Sequence, residues 1–338
     1  MINHPIFFER NRVGRVYTGG LLLDKFFGDE PKDGFFPEEW IASAVKAINK
    51  IPASKNEGLS KCKDYDIWFD ELLAKYPSEL LGSSQKMRIL VKFLDSAVRL
   101  PAQAHPDKEF SKKHFNSQYG KTESWIVLDT RPGAKIYFGF KDGVTKEIFD
   151  KAIELSENDK TALENLMEYR DVKKGDMFLV PAKTVHAIGA GCLILEIQEP
   201  TDFTIQPEYW CDKYKLNHDE MYIGLSKEDA LECFDFEKAP DTRLKPKIFS
   251  SSDAVIAENI VGPEDTECFV INRITIKNGS FCPNINDSYG VYIVTDGNGT
   301  ISAGKYSQNI SKGDYFFMPA CLMGTCSING TLEIVECY

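Results

Sequence analysis

Histidine is scarce in this 338-residue chain, which has only five, and its nine cysteines include no Cys-x-x-Cys pair. The cysteine spacing argues against a zinc site built from thiolates. An odd number of scattered cysteines is typical of proteins in a reducing compartment. No stretch approaches the roughly 18 apolar residues that a membrane span needs, and the start of the chain lacks a signal-peptide pattern. We therefore expect a cytoplasmic protein without a membrane partner.

The sequence also lacks any cluster of lysine and arginine, and its formal net charge is -11. Nucleic-acid-binding proteins normally carry a basic stripe, so we expect no nucleic-acid partner. With 43% hydrophobic and 27% charged residues, the chain is long and apolar enough for a large core. We expect two or three domains in a monomer or a weak homodimer.

Hydrophobic patterning indicates a mainly β protein with helical insertions. The segment 87–97 is apolar nearly throughout, which is typical of a buried strand, and 121–140 predicts two strands around a Pro-Gly turn. The lysine-rich segment 109–120 is interpreted as a loop. Helical periodicity predicts insertions at about 60–85 and at 145–173, the second as two helices.

An internal repeat divides the chain into two related β-units. KKGDMFLVPAKTVHAI at 173–188 and SKGDYFFMPACLMGTC at 311–326 share the pattern K-G-D-x-F-x-x-P-A, and an LEI triplet follows each copy. Self-similarity at this period predicts duplicated cupin-type (jelly-roll) barrels. We place a metal-bearing unit at 1–240 and a C-terminal unit at 241–338. Because Gly324 aligns with His186, we expect the C-terminal unit to bind no metal.

Four polar residues in strand-like segments form a candidate metal site. In PAQAHPD (101–107), alternation along a strand directs Gln103 and His105 to the same face. Taken singly, His105 or His186 is more often a core histidine than a ligand. Together with Glu123 of GKTESW, they form a set of two imidazoles, one carboxylate and one amide. Such a set without thiolates fits a catalytic zinc with room for substrate.

The order of motifs resembles one enzyme family along nearly the whole chain. QAHPD preceded by LVKFLD, then GKTESW, VPAKTVHAIGAG and LEIQEPTDFT, is similar to the motif series of type I mannose-6-phosphate isomerases of the short bacterial form. The opening GGLLLDKFFG followed by EEWIASA is similar as well. The resemblance implies two cupin barrels and a zinc-dependent interconversion of mannose 6-phosphate and fructose 6-phosphate through a cis-enediol.

The resemblance also implies roles for individual residues. It assigns one zinc ion per chain to Gln103, His105, Glu123 and His186, and it makes Lys121, two residues before the Glu ligand, the candidate catalytic lysine. We expect Lys92 to face the substrate pocket, although an edge lysine is the alternative. Three further residues are expected to line the pocket mouth: Glu39, Trp40 and Ser43.

One position departs from the family pattern. Gln206 stands where the family has an arginine that assists catalysis, and glutamine carries neither the fixed charge nor the fork geometry of arginine. Either a cation such as Lys213, Lys215 or Arg12 replaces it, or the activity is reduced or directed to another sugar.

Three functions therefore compete. The motif order favours the isomerase. A metal-dependent cupin oxygenase is the second, and the Gln ligand and the Lys-x-Glu motif speak against it. A catalytically silent sugar-phosphate-binding cupin is the third, and Gln206 is its best support.

Overall fold

The computed structural model describes residues 2–237, 239 and 242–338. The predicted boundary between residues 240 and 241 lies outside the described residues. Seven α-helices occur in the described part of the chain. They are α1 (Leu21–Phe27), α2 (Phe69–Lys75), α3 (Pro77–Leu81), α4 (Lys108–Phe115), α5 (Lys146–Leu155), α6 (His218–Tyr222) and α7 (Lys227–Leu231). None of these helices is long and apolar enough to cross a membrane.

Strands dominate the described residues, and all paired strands are antiparallel. The first twelve are β1 (Ile6–Phe7), β2 (Arg12–Val13), β3 (Glu38–Ile41), β4 (Leu90–Ser96), β5 (Glu123–Thr130), β6 (Lys135–Phe140), β7 (Met167–Asp171), β8 (Met177–Val180), β9 (His186–Ile188), β10 (Cys192–Gln198), β11 (Trp210–Cys211) and β12 (Tyr214–Lys215). The rest are β13 (Lys247–Ser251), β14 (Val255–Val261), β15 (Ile271–Phe281), β16 (Gly290–Ala303), β17 (Tyr306–Ser311), β18 (Tyr315–Met318) and β19 (Cys326–Cys337).

Two large sheets form the framework. One follows the order β2-β3-β4-β10-β5-β8, and the other follows β1-β18-β16-β19-β15-β14-β13 with β17 paired to β16. Smaller sheets, β7-β6-β9 and β11-β12, complete the fold. The predicted mainly β class with cupin-type units and helical insertions is confirmed, although the strand pairing in the described residues leaves both large sheets open. Strands β4 and β10 are buried throughout, in keeping with their mostly apolar sequences.

The sequence repeat is a structural repeat. Gly175 and Gly313 both adopt positive φ, at 90° and 94°, in the turn that precedes β8 or β18. In each copy the following carboxylate, Asp176 or Asp314, accepts a hydrogen bond from the backbone N–H three residues earlier, at 3.0 and 2.8 Å. Glycine is required because that backbone conformation is costly for residues with a Cβ.

The two copies differ at the positions of the predicted metal ligands. At the end of the repeated strand, the paired residue across the sheet is Glu123 in the first copy and Gly290 in the second. Gly324 likewise stands in the place of His186. The second copy therefore lacks two of the four predicted ligands, and a metal-free C-terminal unit stays a prediction.

The first strand of the chain belongs to the C-terminal sheet. Ile6 and Phe7 pair with β18, and the Tyr315 hydroxyl donates a hydrogen bond of 2.5 Å to the buried carboxylate of Glu39 in β3. A hydrophobic cluster containing Phe69 and Phe317 spans both sheets. These contacts fix the two units against each other. The division of the chain into two domains stays a prediction.

Three local predictions are wrong. The segment 109–120 was expected as a loop but contains most of α4, because the Asp107 carboxylate caps the helix by accepting from the Phe110 N–H at 2.8 Å. The segment 145–173 forms one α-helix and then strand β7. Its second part is a strand because it pairs with β6. Residues 101–107 form only isolated bridges, at Gln103 and Ala104, rather than a full strand.

Candidate metal centre and substrate cavity

The four predicted metal ligands meet in the interior of the first unit. Gln103 and His186 exchange both backbone hydrogen bonds at 2.9 Å, which brings their side chains to the same point. Glu123 is the first residue of β5. The ligand atoms of His105, Glu123 and His186 all lie within 4.8 Å of one another, and all three residues are buried. These three residues can hold a metal ion.

Backbone carbonyls orient both imidazoles. The Nδ1 atom of His105 lies 2.9 Å from the carbonyl of Phe203, and the Nδ1 atom of His186 lies 2.9 Å from the carbonyl of Thr184. A carbonyl only accepts, so Nδ1 carries the hydrogen in both rings. Nε2 is then the ring atom left free to bind a metal ion, as in metal sites whose outer contacts fix the tautomer.

The lone pairs of the predicted ligands converge on one point. Burial lowers the pKa of His105 to about 3 and lowers the pKa of His186, so both rings are neutral. The Nε2 lone pair of His105 then faces a Glu123 oxygen at 2.9 Å, which places two acceptors in contact. The Gln103 amide lies 3.2 Å from His186 Nε2 and can turn its oxygen towards the same point. Nitrogen and oxygen donors of this kind fit a divalent metal ion.

Lys121 is part of this centre and not a surface residue, which was the alternative interpretation. Its side chain is 3% exposed, and Nζ lies 3.1 Å from Glu123 Oε1 and 3.2 Å from His105 Nε2. Nζ also donates to the Thr204 hydroxyl at 3.2 Å. Burial alone would raise the pKa of Glu123, but the adjacent Lys121 ammonium outweighs burial and holds that pKa well below its ordinary value. The Glu123 carboxylate is therefore ionised.

A cavity of about 330 Å³ adjoins the centre, and Gln103, Lys121 and Glu123 line one part of it. This volume is within the range of sites for small molecules. Lys92 lines the cavity, and its ammonium lies 3.0 Å from Glu196. Burial, helped by the charge of Glu123, raises the pKa of Glu196 to about 7. The cavity thus contains a buried carboxyl, that of Glu196, which can exchange a proton near neutral pH.

Glu39, Trp40 and Ser43 do not line this cavity in the described structure. Because side chains alternate along β3, Glu38 rather than Glu39 faces it, and Trp40 is buried beneath with its indole donating to Glu38 at 2.7 Å. Ser43 lies in the interior, where its N–H donates to Ser60. Glu38 is thus the residue of β3 that lines the cavity, and a role for Glu39, Trp40 and Ser43 in substrate binding stays a prediction.

Gln206 lines the cavity, and its side-chain amide donates to the carbonyl of Glu220 at 3.0 Å. The cations considered as replacements for the missing arginine lie elsewhere. Arg12 pairs with Asp24, Lys215 pairs with Glu157 at 2.7 Å, and neither these nor Lys213 lines the cavity.

Sequence reasoning missed a buried charge network on the cavity wall. Arg15 bridges Glu38 at 2.9 Å and Asp202 at 3.0 Å. Burial would raise the pKa of Glu38, but the charges of Arg15 and Lys92 lower it to about 2. The one available signal was a charged residue inside an apolar strand, as with Glu196 in CLILEIQ, because buried charges are retained mostly where they are paired.

Comparison with known proteins agrees with the resemblance found in the sequence. No protein-family model matches the chain. The mannose-6-phosphate isomerase ManA of Bacillus subtilis is 29% identical over 99% of this chain and 99% of its own length. The mannose-6-phosphate isomerase of Streptococcus mutans is 28% identical over 99% of this chain and 98% of its own length.

The fold comparison extends over the same length. The crystal structure of the mannose 6-phosphate isomerase from Bacillus subtilis superposes with a TM-score of 0.80 at 22% identity, over 99% of both chains. The resemblance predicted from the motifs is confirmed: in sequence and in fold, along 99% of its length, this chain is a relative of the mannose-6-phosphate isomerases.

Proposed function

We propose that the chain is a zinc-dependent aldose-ketose isomerase that interconverts mannose 6-phosphate and fructose 6-phosphate. The observation that carries the proposal is the buried cluster of His105, Glu123 and His186 with Lys121 in contact, open to a cavity. The activity named for its relatives supports the choice of substrate.

One zinc ion per chain would be held by Gln103, His105, Glu123 and His186. When bound, it supplies a Lewis acid that polarises the sugar oxygens at C1 and C2. The chain supplies the shape of the site: carbonyl contacts orient the two rings, and the indole of Trp125 donates to Glu123 at 3.1 Å. These contacts keep the ligands in place before substrate arrives.

Isomerisation moves the proton of C2 to C1, and a hydroxyl proton moves from O2 to O1, through a cis-enediol. We assign proton handling and stabilisation of the enediolate charge to Lys121, since its ammonium is buried at the edge of the cavity. Glu196 pairs with Lys92 on the same wall, and its carboxyl, with a pKa raised to about 7 by burial, is suited to exchange protons with the sugar hydroxyls.

Turnover in D₂O tests this mechanism. Starting from fructose 6-phosphate, we expect deuterium at C2 of the mannose 6-phosphate formed, because the proton passes through a protein group that exchanges with solvent. Mass spectrometry of the product measures the label. Product without deuterium would contradict transfer through a group that exchanges with solvent, and a complete absence of product would contradict the isomerase proposal itself.

Gln206 favours a second candidate, a silent or weakened sugar-phosphate-binding cupin or an isomerase of another sugar. A missing preorganised charge typically costs about 10²–10³ in rate. If the protein is a weakened isomerase, Gln206→Arg is expected to raise kcat on mannose 6-phosphate, with a smaller effect on KM. A slower variant would show that the cavity is organised around Gln206.

We also propose a cytoplasmic location and a monomeric or weakly dimeric state. All nine cysteines are free, which is compatible with a reducing compartment. The proposed partner is a small sugar phosphate, with neither nucleic acid nor membrane.

A further inference from the structure

Lys50 is the one lining cation that no carboxylate neutralises in the described part of the chain. Four cationic side chains line the cavity. Three of them, Arg15, Lys92 and Lys121, lie within 3.1 Å of a buried carboxylate. Lys50 is exposed and forms no ion pair with a described residue. Its charge is therefore available to an anionic ligand that enters the cavity.

The backbone holds Lys50 at the cavity wall. The N–H of Ile48 donates to the Asp202 carboxylate at 2.7 Å, and the side-chain amide of Asn49 donates to Glu57 at 3.0 Å. The two residues that precede Lys50 are thus tied to separate buried carboxylates. Only the flexible side chain of Lys50 has to be ordered when a ligand binds, which keeps the entropic cost of binding small.

Another part of the lining is unsuited to an anion. Gln206 is uncharged and its amide is committed to the Glu220 carbonyl, while Asp219 and Glu220 add negative charge there. A phosphate dianion is repelled by carboxylates and attracted to an unpaired ammonium.

We propose that Lys50 binds the phosphate group of the substrate and so gives this cavity its preference for phosphorylated sugars. This inference rests on the proposed isomerase function, but its test separates the two. The contact lies at the non-reacting end of the sugar, so it contributes equally to substrate and transition-state binding.

Lys50→Met tests the assignment, because methionine keeps the length of the side chain without the charge. We expect KM for mannose 6-phosphate to rise about 10- to 100-fold with kcat unchanged, as for loss of one charge-assisted hydrogen bond. Lys50→Arg should restore most of the affinity. Lys46→Met is the control, since Lys46 is an exposed lysine in the same loop outside the cavity lining.

A KM for Lys50→Met within twofold of the wild-type value would overturn the assignment. A fall in kcat at unchanged KM would overturn it too, since it would place Lys50 at the reacting end. If the wild type turns over no mannose 6-phosphate, the proposed function fails. Calorimetry with mannose 6-phosphate then compares its affinity for wild type and for Lys50→Met. Binding that is equally weak or equally tight in wild type and Lys50→Met would then contradict the inference.

Discussion

Replacing His105 with alanine is expected to abolish stoichiometric zinc binding and isomerase activity together, while the protein stays folded. His105 supplies one of two imidazoles in a buried donor set, and removing it leaves too few donors for tight binding. The fold should survive because each large sheet keeps an apolar cluster of its own beside the shared one. Elemental analysis of purified protein measures the zinc, and circular dichroism monitors the fold.

A matched control exists at His4, whose ring stacks on Tyr306 away from the centre. His4→Ala should retain about one zinc per chain, as wild type should. Full metal retention in His105→Ala would contradict the ligand assignment. Loss of fold in this variant can be distinguished from loss of metal by testing Glu123→Gln, which changes the charge of the set with little change in volume.

Lys121→Met is expected to lower kcat by about 10²–10⁴ without loss of zinc. The substitution keeps the length of the buried side chain but removes the ammonium that contacts Glu123 and Thr204. Metal affinity should not fall, because the removed group is a cation next to the metal position. Steady-state kinetics on mannose 6-phosphate and zinc analysis of the same preparation measure the two effects.

Lys112→Met serves as the control for this substitution, since Lys112 is an exposed residue of α4. Its kcat should equal that of wild type. An unchanged kcat in Lys121→Met would show that Lys121 has a structural role only. A large loss of zinc in that variant would show instead that Lys121 supports the metal ligands.

The framework of the fold could be predicted because its signals are local. Apolar runs identified β4, and the shared K-G-D pattern identified the turns at Gly175 and Gly313. The errors arose where tertiary pairing or a single cap decides the outcome. Strand β7 exists because it pairs with β6, and α4 exists because Asp107 caps it. The Pro-Asp-Lys-Glu sequence at the start of α4 was a usable signal for that cap.

The candidate site was predictable to the extent that residue types carry chemistry. Histidine, glutamate and glutamine in strand-like contexts indicated a metal site, and the structure brings those residues together. The cavity wall was not predictable, because Arg15 and Asp202 are 187 positions apart and meet only in the folded chain. The offset between Glu38 and Glu39 reflects the strand period, in which a shift of one residue reverses the face.

The conversion of mannose 6-phosphate to fructose 6-phosphate by the wild-type protein, with and without zinc, tests the central claim most directly. Protein with about one zinc per chain should form fructose 6-phosphate, lose this activity after removal of the metal by a chelator, and regain it when zinc is returned. Tight binding of mannose 6-phosphate to the zinc-loaded protein without any turnover would contradict the account and favour the silent sugar-phosphate-binding cupin.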